Sequence, residues 1–462
     1  MGFAAATIHW VGASGTKAGN SKSGGGVKKS VWDADPTLSS YMDGNGGPKY
    51  ADAGATYDND TGVITATGNI FPAQTDALKD WIVYVEGTSF DNDRYLITAG
   101  TQNTITIASG KGQGDDRTVD IYVAGAFDSL QNAIDSTDAS DSGSLVTIYT
   151  NKNETPGEAI GISTGGSLTN NTYKRIVGFG TLLDDRQQPT LDATSVSYGV
   201  QFEGVENVFI ENIHVKKAAV NNWDDTAGTN YNIVLKNCRA SEATQNGFYM
   251  YASTYGCILI DCKADDNGYS GIFIHDRQVG LVINCLSESN GFRGFFLRNA
   301  LAAFCAAAGN TCQGTRAAFD IASSGYGGLV YGCVAYNNGD STSTPAFSFG
   351  GYGNAALNCI AMANQGDAFE RTDNAVLYIS NCASYNNNLN FPGVYVGENN
   401  LEADPQFTDA NNGNFRPRNP QVLRGGLADI NGNATQMGAI TQPYQFPRRA
   451  GASNLGKLSI VK

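Results

Sequence analysis

Seven cysteines recur in phase through the second half of the chain: Cys238, Cys262, Cys285, Cys305, Cys333, Cys359 and Cys382, at spacings of 24, 23, 20, 28, 26 and 23 residues. Five residues after six of them stands an asparagine (Asn267, Asn290, Asn310, Asn338, Asn364, Asn387); after Cys238 the place is taken by Ala243. Nine residues after the cysteine a small residue (Gly247, Gly271, Gly294, Gly314 or Ala368) opens an aromatic or aliphatic run, such as Phe248-Tyr249-Met250-Tyr251 or Phe295-Phe296-Leu297. Another apolar run, such as Leu281-Val282-Ile283, precedes the cysteine. A period near 24 with two or three short strands leaves no room for the long helices of an α-solenoid. Stacked coils of a parallel β-helix accommodate it, because each coil pairs with those above and below. Like residues then pile up, the cysteines as small buried hydrophobes. The asparagines form a ladder at a turn, where Asn tolerates the left-handed conformation and bonds its stacked neighbour.

Composition agrees with this architecture and narrows the alternatives. The 56 glycines follow no three-residue period and proline numbers only 12, which excludes collagen. With 41% apolar and 16% charged residues there is material for a core, so wholesale disorder is excluded. The longest strongly apolar stretch, Ala300 to Ala308, is less than half a membrane span. Nine cysteines without a C-x-x-C pair, beside only three histidines (His9, His214, His275), speak against structural zinc and a disulfide scaffold. Asp58-Asn59-Asp60-Thr61-Gly62 and Asp429-Ile430-Asn431-Gly432-Asn433 have the look of calcium loops but lack an acid at the twelfth position, and read as turns.

Upstream of the coils the texture differs. Residues 1–56 are rich in Gly, Ser, Ala and Lys without periodicity and read as an extended arm. Residues 57–124 hold short β-branched or aromatic runs (Val63–Thr67, Trp81–Val85, Arg94–Thr98, Thr104–Ile107, Val119–Val123) split by turns, a small β module. An amphipathic helix with Phe127, Leu130 and Ile134 on one side is expected over 125–138, suited to capping an end. The coils are expected over 139–405, about ten of them, followed by a C-terminal cap (406–440) and a basic tail (441–462).

The Cys-x-Ala/Ser-x-x-Asn coils, the Gly-Ala-Phe-Asp-Ser-Leu-Gln-Asn-Ala-Ile-Asp helix and the segment Asp404-Pro405-Gln406-Phe407…Gly413-Asn414-Phe415-Arg416 together resemble the right-handed parallel β-helix, pectate-lyase-like superfamily. The resemblance covers roughly 125–440 and implies an all-β, right-handed parallel β-helix. It implies a fold, not one function, since that superfamily includes polysaccharide lyases, polygalacturonases, adhesins and phage tailspikes. The small β module ahead of the helix, with no readable signal peptide, looks most like the phage virion members.

Charge is unevenly placed. The net −14 conceals two basic ends: Lys17, Lys22, Lys28 and Lys29 precede the first acid at Asp33, and Arg448, Arg449, Lys457 and Lys462 close the chain without an acid. The body between holds 22 basic against 44 acidic residues, a net −22. The ends fit solvated tails or docking arms that lie on an acidic neighbour. An acidic body argues against nucleic acid, whose phosphates need Lys/Arg-rich faces.

Neither an Arg or Lys base with Asp-bound calcium nor an aspartate cluster beside a histidine occurs as a clean motif. The acid pairs Asp115-Asp116, Asp184-Asp185, Asp224-Asp225 and Asp265-Asp266 are dispersed and read as turn residues. Counting from each ladder cysteine places Tyr251, Asp276, Arg277, Arg298, Asp320, Glu370 and Arg371 near one strand end, as a strip of acids, arginines and an aromatic. A polar rim is the plainer reading of that strip; a carbohydrate site is the sharper one. His275 and Asp276 are adjacent in a strand and point to opposite faces, which disfavours a His–Asp pair.

The function expected from these readings is a phage virion structural protein, a decoration, fibre or spike subunit that docks through its termini, projects a rod and binds surface glycans. A polysaccharide lyase or glycoside hydrolase is the first alternative, a cell-surface adhesin the second. Expected partners are other copies of the chain, as a homotrimer, other virion proteins and a polysaccharide; nucleic acid, membrane, metal and cofactor are not implied. The expected location is the virion, made in a host cytoplasm, with a secreted or cell-surface protein as the alternative.

Overall fold

The computed structural model describes residues 6–11, 27–28, 31, 34–35, 40–41, 48–90, 93–112, 117–124, 130–135, 145–150, 159–163, 173–178, 188–251, 254–313, 316–322, 328–351, 353–372, 377–391, 397, 399–426 and 437–438. From 188 onward the chain winds in coils of three strands. One coil runs Phe248–Met250 (face 1), Ile258–Ile260 (face 2) and Lys263–Asp265 (face 3). Each strand pairs in parallel with its equivalent in the next coil: Phe248 lies opposite Ile272, Leu259 opposite Val282 and Ala264 opposite Ser287. A 20-stranded sheet carries faces 1 and 2, and a 10-stranded sheet forms face 3. Ten rungs at about 4.8 Å make a rod roughly 45 Å long.

The corner between faces 2 and 3 explains the cysteines. One residue of positive φ, among them Asn237, Asp261, Asn284, Asn358 and Asn381, turns the chain and aims the following cysteine inward. All nine cysteines are free and buried. The ladder thiols donate to carbonyls of the preceding coil, Cys262 Sγ to Leu235 O and Cys305 Sγ to Val282 O at 3.4 Å each. Burial holds the Cys238, Cys285, Cys305 and Cys359 thiols well above the ordinary thiol range.

The corner between faces 3 and 1 holds the asparagine ladder. Nδ2 of Asn267, Asn290, Asn310, Asn338 and Asn364 each donates to Oδ1 of the next ladder asparagine at 2.9 Å. These asparagines do not take the left-handed conformation expected of them. The preceding residue does (Asp266, Ser289, Gly309, Asn337, Ala363, Asn386), which turns the chain there and leaves the amide inside to bond both neighbours. The small residue at offset nine follows from this closure: a Cβ on Gly271 would lie 2.1 Å from Ser287 Oγ and 2.6 Å from Asn290 Nδ2.

Behind face 1 the interior is a stack of rings. Phe295, Phe319, Phe347, Phe369 and Phe391 follow at centroid separations of 4.6, 4.9, 5.1 and 5.5 Å, within 10° of parallel. Phe202, Trp223 and Phe248 continue the series in earlier coils.

The helix Leu130–Asp135 buries Leu130, Ala133 and Ile134 in the same core at the rod's N-terminal end. Its Gln131 side chain bonds both the N–H and the C=O of Gly161, at 2.7 and 3.0 Å. Phe127, expected on the same side of the helix, lies outside the described residues. Residues 1–56 enter the fold at several points, Val27–Lys28 among them, paired antiparallel with Thr7 and Ile8. Ala6–Val11 runs parallel to Leu145–Thr150 as a rung of the rod. Tyr50–Tyr57 pairs antiparallel with Arg117–Val123 inside the small module, a seven-stranded antiparallel sheet.

The outer columns of face 3 change character along the rod. His214, Arg239 and Lys263 occupy successive rungs, then Leu286, Ala306, Val334, Ile360 and Ala383. On the charged part Asp265, expected as a solvated turn residue, is instead buried, because Arg239 of the neighbouring strand and Lys263 of its own strand neutralise it. The apolar part is covered by the C-terminal segment: Phe407, Phe415, Val422 and Met437 pack on it as one cluster. After its last rung, Leu401–Glu402, the chain thus folds back along the side of the rod.

His214 sits beside this charged belt, Nε2 at 2.8 Å from Ser241 Oγ. Burial first, and then the Arg239 charge, bring its pKa down to about 4 from 6.5. The folded state therefore binds fewer protons than the unfolded one between those values. Its contribution is fully present above pH 6.5 and is lost as pH falls toward 4, on the order of 2–3 kcal/mol. Urea midpoints compared at pH 7 and pH 4.5 should show this loss, and His214→Gln should flatten it.

Candidate functional site

Strand alternation and register define what face 1 presents outward. Phe248, Ile272, Phe295 and Phe319 are buried, so the following residues project from the rod. One outward column runs Gln201, Asp224, Tyr249, Phe273, Phe296, Asp320, Ser348 and Glu370, one residue per coil. Its middle is an aromatic row: Tyr249 to Phe273 is 4.7 Å and Phe273 to Phe296 is 4.4 Å between centroids. Tyr251, 40% exposed, stacks on Tyr249 at 5.5 Å and meets His275 edge-on at 4.9 Å. His275 is opposite Arg298, which widens the platform with a cation.

Charged groups frame the row. Arg293 is buried between Phe292 and Phe296, its guanidinium 4.8 and 4.9 Å from the two ring centres, and donates from Nε to Asp320 Oδ2 at 2.6 Å. Burial lowers its pKa while Asp320 opposes the shift. On the other side, Asp224 accepts from Asn221 Nδ2 at 2.7 Å and from Thr226 Oγ1 at 2.5 Å, and Asp225 accepts from the backbone N–H of Tyr251. Both carboxylates are fully buried in the strand Asn221–Ala227 and are not the turn residues expected of an acid pair. A bulge in that strand's register sets them beside the tyrosines. Tyr249 is raised to about 12, by burial first and then by the Tyr251, Asp224 and Asp225 charges. Glu370 is also raised, by burial and then by Asp367 and Asp320.

The residues singled out in the sequence fall into different columns. Asp320 and Glu370 share the central column, two rungs apart, while Tyr251 and Arg298 flank it. Arg371 is exposed at a strand end opposite Phe349. The side chains of Asp276 and Arg277 lie outside the described residues. Of the docking residues, Lys17, Lys22, Lys29, Arg448, Arg449 and Lys457 lie outside them entirely, and Lys28 is described only in its backbone, paired with Thr7. Offsets from the cysteine fail as a guide because the connections differ in length from coil to coil, so equal offsets fall at unequal strand positions. Counting from the buried apolar residue that follows the small one in each coil, Phe248, Ile272 and Phe295, would have found Tyr249, Phe273 and Phe296.

Among the described residues no group of three or more His, Cys, Asp or Glu side chains is arranged to hold a metal ion. The face offers instead an apolar row of part-buried rings, with the partly exposed Asp320, Glu370 and Arg298 at its edges as polar groups.

The family model described as right handed beta helix region matches residues 132–302. No curated protein sequence matches the chain. Solved structures similar to it include pectate lyase Pel9A, at 14% identity and TM-score 0.43, covering 69% of this chain and 92% of that one. The ORF18 product of Geobacillus virus E2 aligns at 15% identity and TM-score 0.40, over 59% of this chain and 56% of its own. The tailspike protein gp49 from Pseudomonas phage LKA1 aligns at 11% and 0.26, over 76% and 65%. The fold rests on the chain's own coils and on the family match.

Proposed function

We propose, for this member of the right-handed parallel β-helix superfamily, a glycan-binding role on a phage particle: a rod that holds a surface polysaccharide on face 1 and docks through its basic termini. The observation that carries the reading is the outward row Tyr249–Phe273–Phe296 with Tyr251 beside it. Three of these rings are part-buried and Tyr251 is exposed, which leaves at the surface a row of apolar faces on which sugar rings shed apolar surface. The basic ends flanking a net −22 body support docking to acidic partners.

A second reading, glycoside hydrolysis, draws on one observation. Glu370 is raised, as a general acid needs, and stands two rungs from Asp320, roughly 10 Å by strand spacing, near the upper end of separations used by inverting enzymes.

The test is titration of the chain against a panel of neutral and acidic bacterial polysaccharides. Binding should weaken about tenfold on Phe273→Ala and on Tyr249→Ala, a loss of about 1–2 kcal/mol of ring contact. The thermal transition should change little, since both side chains face outward. Unchanged binding in both variants would remove the platform from the proposal. Release of reducing ends, abolished by Glu370→Gln or Asp320→Asn, would replace binding with hydrolysis.

A further inference from the structure

The apolar surface of face 3 is covered by the chain's own C-terminal segment, but face 2 carries an apolar surface that no described element covers. Its strands are apolar on both sides, as in Ile258-Leu259-Ile260 and Leu281-Val282-Ile283, where only the middle residue points into the core. The register aligns Ile258, Leu281, Leu301, Leu329, Ala355 and Tyr378 in one outward column. A second column runs beside it from Ile260 to Leu357. The side chains in both columns are partly exposed, and Tyr378 is 50% exposed. Neither column carries a charge over these six rungs, although the chain as a whole is net −14.

We propose that face 2 is the surface on which a second copy of this chain docks. The stripe repeats every rung along a straight rod, so its complement must offer apolar side chains at the same spacing over the same length. Face 2 of another copy does. The six uncharged rungs at about 4.8 Å and a width of about 15 Å give roughly 430 Å² on each copy. Two copies together then bury about 860 Å², the size of a weak, reversible contact. Charge agrees: the stripe lets two acidic bodies approach along an uncharged seam. The ion pairs of Glu211 with Arg175 and Lys236, at 3.5 and 2.8 Å, mark where the seam ends.

Sedimentation velocity on the full chain tests this. The wild type should sediment as two or more copies, and Leu281→Glu with Leu301→Glu should shift it to single copies, with association at least a hundredfold weaker. Leu281→Met with Leu301→Met should behave as wild type. Because the charged variant could fail for want of folding, Ala303→Cys supplies a second measurement. Ala303 lies near the middle of the stripe and every native cysteine is buried, so mild oxidation should give a disulfide-linked pair of chains. A wild type that sediments as one copy overturns the proposal, as does a charged variant that assembles normally or an Ala303→Cys chain that does not cross-link. A chain lacking 439–462 that assembles where the full chain does not also overturns it, by showing the tail to be the occupant.

Discussion

Phe319→Ala is expected to cost the rod about 3–5 kcal/mol, the range for truncating a fully buried aromatic ring. Phe319 is 0% exposed and is sandwiched between Phe295 at 4.6 Å and Phe347 at 4.9 Å. Its removal leaves a ring-sized void with aromatic faces above and below. The stack cannot close that void, because backbone hydrogen bonds on faces 1 and 3 hold the coils at their spacing. In a rod whose units touch only their neighbours, the damage is local first. Hydrogen exchange should therefore speed up in the strands Arg293–Ala303, Phe319–Ala322 and Phe347–Gly350 before it does in Glu206–Glu211. Phe296→Ala is the control. It removes a ring of the same size from the neighbouring strand, one residue past Phe295 on the outer side, and should cost little stability while weakening glycan binding. Equal losses from both would mean that face 1 is buried against something.

That contrast also marks how far the sequence could be read. The cysteine and asparagine ladders are visible in the chain because each sits one tight corner away from a short strand, where no residue can be inserted without breaking the stack. Phase therefore survives from Cys238 to Cys382, and with it the fold. The aromatic row of face 1 lies beyond connections that tolerate insertion. The step from Cys305 to Phe319 is 14 residues but that from Cys285 to Phe295 is 10, so offsets counted from the cysteine mix columns. The left-handed corner before the cysteine went unread, although Asn-Cys stands at four of seven ladder positions and Asp-Cys or Gly-Cys at two more. What no local pattern announces is which side of a strand another segment will cover. Leu286, Val334 and Ile360 look like ordinary strand residues, and only the return of Phe407 and Phe415 shows why face 3 turns apolar there.

The asparagine ladder yields the other large effect. Asn310 accepts at Oδ1 from the backbone N–H and from Nδ2 of Asn290, at 3.0 and 2.9 Å, and donates from Nδ2 to Asn338 Oδ1 and Ser287 O, at 2.9 and 3.0 Å. It is 1% exposed, and both its neighbours in the ladder are as deeply buried. Asn310→Ala strands the backbone N–H of Asn290 and the carbonyl of Ser287 where water does not reach. At roughly 1–3 kcal/mol per unsatisfied group, the total loss should be about 3–5 kcal/mol. The ladder carries its own control at Ala243, where alanine occurs naturally. There Asn267 Oδ1 still accepts from the backbone N–H of Ala243 at 3.0 Å, and Asn222 reaches in with Nδ2 at 3.3 Å to take the missing amide's place. Asn222 also donates to Ser241 O at 2.8 Å, filling the second role of a ladder amide. Ala243→Asn should therefore gain little, because its place is already filled, while Asn310→Ala has no such substitute. Asn310→Asp separates hydrogen bonding from packing: it keeps the shape and loses the donor. Its buried carboxylate should destabilise the rod at neutral pH at least as much as alanine does, with partial recovery in acid as the carboxyl protonates and regains a donor. Denaturation of the three variants at pH 7 and pH 5 decides the matter. An Asn310→Ala chain within about 1 kcal/mol of wild type, no more than the low-end cost of a single unsatisfied group, would show that the ladder follows the fold and does not hold it.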